Sequence, residues 1–281
     1  MGQNSIRSNL SKADIIAEIR LTLSADFAHK KSIIIVEGDD DLSFFNGKFS
    51  PDVEIYESFS GKIGVCEIVD SFCDDRVMGI RDLDYDPISS NSRMLYYDFC
   101  CLEMMLIASD NAFSNFCYGY YRGPEVPIVL REQVLRELSH ISIYRKLSAN
   151  LNWAINFKGI SFDKAFDDNT VKLDFSKLSA QIIKINSLDN AAATSHISAV
   201  TAASVTVNSI NDLLSITQGH DFLFYFQKIC THFLPRGKSI PGSKEMFRSL
   251  ICSYRAEDFS ATNLYQKLIN YQSVYNRHIL T

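Results

Sequence analysis

Hydrophobic and polar positions change rhythm repeatedly along the first hundred residues. Ile15, Ile16, Ile19, Leu23 and Phe27 recur at helical spacing, and Ser11 stands where an N-cap belongs, so a helix is predicted over 11–29. Ser32–Val36 (SIIIV) then runs β-branched with no polar alternation, the pattern of a strand buried on both faces. Leu42, Phe44, Phe45 and Phe49 predict a short helix, and residues 53–56 (VEIY) a second, less buried strand. Gly61 opens a helix carrying Ile63, Val65, Ile68, Val69 and Phe72. Residues 76–80 (RVMGI) and 94–97 (MLYY) predict two more strands, the latter followed by a helix with Leu102, Met105 and Leu106. Strands alternating with helices in this way predict an α/β fold with a parallel sheet and flanking helices.

Beyond residue 110 the rhythm changes. Residues 111–127 (NAFSNFCYGYYRGPEVP) are aromatic-rich and interrupted by Gly and Pro, as in a connecting loop. A helix follows over 128–147, and residues 150–178 have no clear period. Residues 188–210 are rich in Ala, Ser and Thr and read as helix or loop. Three helices are predicted over 221–233, 243–254 and 261–271. The expected organisation is an α/β domain over 1–110, including the N-terminal helix, and a mostly helical domain over 111–281.

With 281 residues, 46% hydrophobic and 22% charged, the chain has an ordinary globular composition. Its seven cysteines contain no C-x-x-C pair, which argues for buried reduced thiols against a disulfide framework or zinc site. No apolar run is long enough to span a bilayer, and the N-terminus lacks the apolar core of a signal peptide. A cytoplasmic protein without membrane contact is expected. The opening MGQNSI has the outline of a myristoylation signal, but the rest of the chain gives it no support.

Charge is unevenly shared. Residues 31–110 hold six basic side chains against seventeen acidic ones, whereas 220–255 hold six basic against two acidic. An acidic centre beside a positive surface suits a metal-dependent enzyme acting on a phosphate polymer, although charge scatters unevenly in any chain.

The acids concentrate where strands end. Glu37 follows the first strand, with Gly38 and Asp39, Asp40 and Asp41 behind it; Asp82, Asp84 and Asp86 follow the third. Hard cations such as Mg²⁺ take oxygen ligands, and Asp82 and Asp84 at i and i+2 can point the same way from an extended backbone. Asp39–Asp41 fit the first turn of the following helix, and Asp98 fits an N-cap of the helix containing Leu102. Lys62, in SGK, is a phosphate contact or a solvated helix-start lysine, because SGKIG is no Walker A loop. His220 is a base, a phosphate contact or a structural cap residue.

V-E-G after a β-branched strand, with D-x-D after a later one, resembles the TOPRIM domain shared by topoisomerases, primases and OLD-family nucleases, over about residues 32–86. The VEGDDD start, the D-x-D, the Asp98…Leu102-Glu103 stretch and the later GHDFL at 219–223 resemble a TOPRIM-like family. That family includes the effector nuclease of the PARIS anti-phage system. The resemblance implies a TOPRIM-like (Rossmann-like) sheet and a Mg²⁺-dependent endonuclease, with Mn²⁺ as an alternative metal. It further implies a toxic effector that cleaves RNA, tRNA rather than DNA, works as a homodimer and is controlled by an ABC-type ATPase. Glu37, Asp82 and Asp84 would be the catalytic residues and metal ligands, joined at the metal by Asp86 and Glu103. Substrate contacts would come from Lys62, Arg81, His220, Lys238, Lys244 and Arg248. Two alternatives stand beside it: a non-catalytic TOPRIM-like partner of an ATPase, and a haloacid-dehalogenase-like phosphatase. The latter's motif normally lies on the first strand, with Thr or Val where this chain has Tyr85.

Overall fold

Four strands pair side by side in the computed structural model, which describes residues 11–281; the MGQNSI pattern lies outside them. They are β1 (Ser32–Val36), β2 (Val53–Glu57), β3 (Val77–Arg81) and β4 (Met94–Tyr96), in the order β2-β1-β3-β4, every pair parallel. All five residues of β1 and of β3 are buried, as the unbroken apolar run predicts for strands covered on both faces. From β1 the chain goes to β2 on one side and then returns to β3 on the other. Strand order therefore reverses between β1 and β3, the place where open α/β sheets gather ligands at their carboxyl ends.

Helices α1 (Lys12–Ala25), α2 (Asp39–Phe45) and α3 (Gly61–Asp70) connect and cover the strands. Ser11 caps α1 as expected, its Oγ accepting from Asp14 N while Asp14 accepts from Ser11 N at 2.9 Å. Ile15, Ile19 and Leu23 of α1 pack with Val65, Ile68 and Val69 of α3 onto Ile33, Ile35 and Val77. The helix stops at Ala25, short of Phe27, which is exposed. Asp26 ends it, because its carboxylate accepts from Lys31 N at 2.7 Å and draws the chain into the turn before β1.

Gly79, in the middle of β3, allows the close packing of α3 and β4. A Cβ there would lie 2.7 Å from Val65 Cγ1 and 2.9 Å from Met94 Sδ. Gly79→Ala is expected to cost about 1–3 kcal/mol by overpacking, read as a lower urea midpoint.

The second unit, Glu103–Tyr254, is mostly helical. After α4 (Leu102–Ala108) come α5 (Asp110–Tyr120), α6 (Pro127–Asn150), α7 (Phe162–Ala165), a two-stranded antiparallel pair of β5 (Phe166–Asp167) and β6 (Lys172–Leu173), α8 (Phe175–Asn186), α9 (Asn190–Ser204), α10 (Ile210–Ile216), α11 (Gly219–His232) and α12 (Ser243–Ser253). The 24-residue α6 is the central element, with α5, α9, α10 and α11 packed on it.

Two local expectations are corrected here. Residues 111–127 are not all loop: α5 covers most of them, capped by Ser109 Oγ, which accepts from Ala112 N at 3.1 Å. Phe113, Phe116 and Cys117 recur at helical spacing and are buried, while Gly119 and Pro124 fall only at the last turn and beyond it. Residues 188–210 resolve largely as helix, since Asp189 caps α9 and Ala193, His196 and Val200 form its buried face.

Two histidines of this unit pack into polar contacts. His196 Nδ1 lies 3.0 Å from the Tyr144 hydroxyl and its ring stacks on Trp153; His140 Nε2 lies 3.0 Å from Ser179 Oγ. Burial lowers both below the ordinary imidazole range. A base more acidic folded than unfolded binds more protons when unfolded. Its contribution is therefore complete above the unfolded value, about 6.5, and is lost as pH falls below it. NMR titration should give both imidazoles midpoints below that value, with a urea midpoint lower at pH 5.5 than at pH 7.5.

The chain does not divide at 110/111. The described residues up to Leu102 and Arg255–Thr281 form one unit, so the C-terminal α13 (Ala256–Ser260) and α14 (Asn263–Tyr275) belong with the sheet. Asp98 accepts from Asn263 N at 2.8 Å and Leu264 N at 2.9 Å, so it braces the first turn of α14, whose N-cap is Thr262, and not α4 as expected. Ser50 Oγ donates to His278 O, Tyr271 hydroxyl donates to Asp75 O, and Phe259 joins the rings of Phe44 and Phe45. Among the described residues no helix is long and apolar enough to cross a membrane. None of the seven cysteines is in a disulfide.

Candidate functional site

The residues immediately after β1 and β3 meet at the point where strand order reverses. Asp82 N donates to Glu37 Oε1 at 2.7 Å, so one strand end fixes the side chain of the other. Gly61, at φ +49°, begins α3 beside Glu37; a Cβ there would stand 3.6 Å from Oε2. Burial, reinforced by the like charge of Asp84, raises the Glu37 carboxyl above its ordinary value. The Asp82 N–H, Arg81 and Lys62 oppose the shift. Asp82 is fixed in turn, its Oδ1 accepting from Leu102 N at 3.0 Å.

Asp82 and Asp84 do not project side by side from an extended backbone, as their spacing suggested. β3 ends at Arg81, and Asp84 lies in a turn at φ +49°, with its N–H donated to Cys100 O at 2.8 Å. The turn brings Asp84 Oδ2 to 2.9 Å and Asp86 Oδ2 to 3.1 Å from Lys62 Nζ. Lys62 is thus neither solvated nor loose: it is half-buried and counters two carboxylates. Burial alone would lower its pKa, but its hydrogen bonds to Asp84 and Asp86 raise it.

Arg81 also departs from its expected role as a substrate contact. It is buried at 6% exposure, its guanidinium lies over the Tyr96 ring, and its Nη1 is 2.8 Å from Asp86 Oδ2. Burial would raise the Asp86 carboxyl, yet the hydrogen bonds from Arg81 and Lys62 hold it below the ordinary carboxylate range. Asp41 is buried in the first turn of α2, where it accepts from Gly38 N at 2.9 Å and from the Tyr97 hydroxyl. Its part is structural, as the capping assignment anticipated, with Asp39 and Asp40 beside it in that turn.

The acids after β1 and β3 offer carboxylate oxygens, the ligand type a hard divalent cation takes. Among the described residues no three His, Cys, Asp or Glu side chains are gathered as a dedicated metal cage would need. Mg²⁺ commonly takes only one or two protein carboxylates and keeps several waters. The Glu37 carboxylate takes the Asp82 N–H, the Asp82 carboxylate takes the Leu102 N–H, and Asp84 and Asp86 are engaged by Lys62.

Glu103 has a different neighbour. Its carboxyl group lies against Gly219, where a side chain on residue 219 would overlap it, at the start of α11. An acid at a helix N-terminus is stabilised by the exposed N–H groups and the macrodipole. His220, Lys238, Lys244 and Arg248 all belong to the second unit. Lys238, Lys244 and Arg248 are exposed, the last two one turn apart on α12. His220 Nε2 lies 3.3 Å from Asp221 Oδ1.

Sequence reasoning missed the pairing of Arg145 with Asp221, at 2.8 and 3.1 Å, because the partners are 76 positions apart. It also missed Lys62 as the counter-ion of the D-x-D-x-D series. The available signal was a lone lysine beside a glycine at a helix start in a strongly acidic region. No protein-family model matches the chain, and no curated protein matches it.

Proposed function

We propose that the crevice between the ends of β1 and β3 is the active centre of a metal-dependent, TOPRIM-type endonuclease. The observation that supports it is the meeting of Glu37 and Asp82 at the reversal of strand order, the position where such sheets bind ligands. Glu37 and Asp82 would hold Mg²⁺ or Mn²⁺, with Asp84 as a further catalytic carboxylate. Bound there, the cation supplies Lewis-acid polarisation of a phosphoryl oxygen and a more acidic water. The chain's own part is preorganisation. The Asp82 N–H aims Glu37, the Leu102 N–H aims Asp82, and Arg81 anchors Asp86. Lys62 would exchange its carboxylate partners for an incoming phosphate. The exposed Lys238, Lys244 and Arg248 grip the nucleic-acid backbone by displacing its counterions.

The resemblance gives the rest of the proposal: an RNA substrate, tRNA rather than DNA, a homodimeric active form, an ABC-type ATPase partner and a toxic role in anti-phage defence. The test is incubation of purified protein with tRNA, single-stranded RNA, duplex DNA and a small phosphomonoester. Each is run with Mg²⁺, with Mn²⁺ and with chelator. Metal-dependent cleavage of tRNA is the expected result. Turnover of the phosphomonoester alone would instead support the phosphatase reading.

One observation favours a second reading. Lys62 and Arg81 already neutralise Asp84 and Asp86, so these acids stay together at little cost without a metal. A non-catalytic module that binds an ATPase would keep the same arrangement. It would cleave none of the four substrates and would still co-purify with that partner.

A further inference from the structure

The second unit carries a cavity of ≈ 700 Å³ that the proposed catalysis does not use, within the range that holds small-molecule ligands. One face of α11 forms a wall through His220, Phe224 and Lys228, spaced one turn apart. Residues 157–163 form another, and Arg145 of α6 lines it as well.

Its chemistry is two-sided. Arg145 is bound side-on, Nε and Nη2 holding the two oxygens of Asp221 at 2.8 and 3.1 Å, with Phe157 against the guanidinium at 4.6 Å. A guanidinium held by one edge keeps N–H donors on the other, and Nη1 has no protein partner among the described residues. Lys228 Nζ is 3.1 Å from Asp163 Oδ1, but Asp163 is 77% exposed, and such surface pairs are weak enough for an anion to replace. His220 adds a third nitrogen group. Beside these cations stand aromatic rings. Phe224 is 49% exposed, although it lies on a helix whose neighbouring positions are buried, and Phe162 lines the same space.

Fixed cations suit a phosphate, and exposed rings suit the flat face of a base. We infer that this cavity is a binding site for a nucleotide, with its phosphate at Arg145 and Lys228 and its base against Phe224. The same chemistry comes from a free mononucleotide or from one nucleotide of an RNA strand; only the strand source rests on the nuclease reading.

The test is calorimetric titration of the full-length protein in chelator, where no metal-dependent cleavage can occur. The probes are the four ribonucleoside monophosphates, adenosine and inorganic phosphate. At least one monophosphate should bind about tenfold or more tighter than either adenosine or phosphate. Phe224→Ala should weaken it about tenfold while leaving phosphate affinity unchanged, and Lys228→Ala should weaken both. Circular dichroism verifies that both variants fold. Competition by a 5′-phosphorylated trinucleotide then assigns the source: displacement indicates a strand nucleotide, and no displacement a free one. Failure of all four monophosphates to bind, or binding indifferent to both substitutions, overturns the site. That failure leaves the Glu37 centre untouched, and an inactive Glu37 centre leaves the nucleotide titration unaffected.

Discussion

Glu37→Gln is expected to lower Mg²⁺-dependent cleavage by at least about 100-fold while leaving the protein as stable as before or more so. The two outcomes separate because of how Glu37 is held. Glutamine keeps an Oε1 that can accept from Asp82 N, so the link between the ends of β1 and β3 survives. What disappears is a negative charge that is half-buried and repelled by Asp84. Removing it relieves a desolvated charge in the folded state and deprives a divalent cation of one of its two proposed ligands. Cleavage of tRNA with Mg²⁺ and urea denaturation of the same preparation measure the two effects together. Wild-type cleavage rates in the variant would remove Glu37 from the chemistry. A variant that is inactive and also much less stable would make the loss structural. Asp82→Asn is the matching test, because asparagine keeps an Oδ1 that can accept from Leu102 N while the negative charge is lost.

The sheet was legible in the sequence because burial on both faces writes itself as an unbroken run. Ser32–Val36 could be little other than a central strand, and the acids that follow it are conspicuous for standing at its end. The local caps at Ser11 and Asp41 were equally readable, since both partners lie within three residues. What the sequence hid was set at long range. Asp98 looks like the cap of the next helix, but it takes the first N–H groups of one that starts 165 residues later. The final helices look like a continuation of the helical half until Ser50 and Asp75 are seen bonded to them. At the candidate site, proximity of Glu37 to Asp82 follows from strand order. The diversion of Asp84 and Asp86 to Lys62 depends on a turn at φ +49°, adopted by an aspartate, which spacing alone does not reveal. Aromatic residues misled in one place: in α5 they mark a buried helix face, where their density with Gly and Pro suggested a loop.

Asp221→Ala should destabilise the second unit by about 3–5 kcal/mol, the largest stability effect expected of any single substitution considered. Asp221 is 5% exposed and Arg145 17%, so the charge left behind recovers only the part of its hydration that the cavity edge allows when the other is removed. Truncating the acid leaves a guanidinium half-covered by Phe157 without the two hydrogen bonds that hold it. The cost is therefore mainly that of an unpaired buried charge, not the intrinsic strength of the pair. A double variant separates the two. Replacing Arg145 by Met together with Asp221 by Leu removes both charges and retains apolar volume, and it should recover most of the lost stability. Urea denaturation of the three variants against the parent measures this, with the transition of the second unit followed by Trp153 fluorescence. If Asp221→Ala unfolds at the parent's urea concentration, the pair is solvated in solution and Arg145 is not held fixed. If instead the single variant is strongly destabilised and the double variant is not, the pair costs stability to keep and adds little to the fold. A costly pair on the wall of a cavity is what a site for an anion requires: Asp221 holds Arg145 by one edge so that the other edge faces a ligand. The double variant should then be folded and unable to bind the nucleotide.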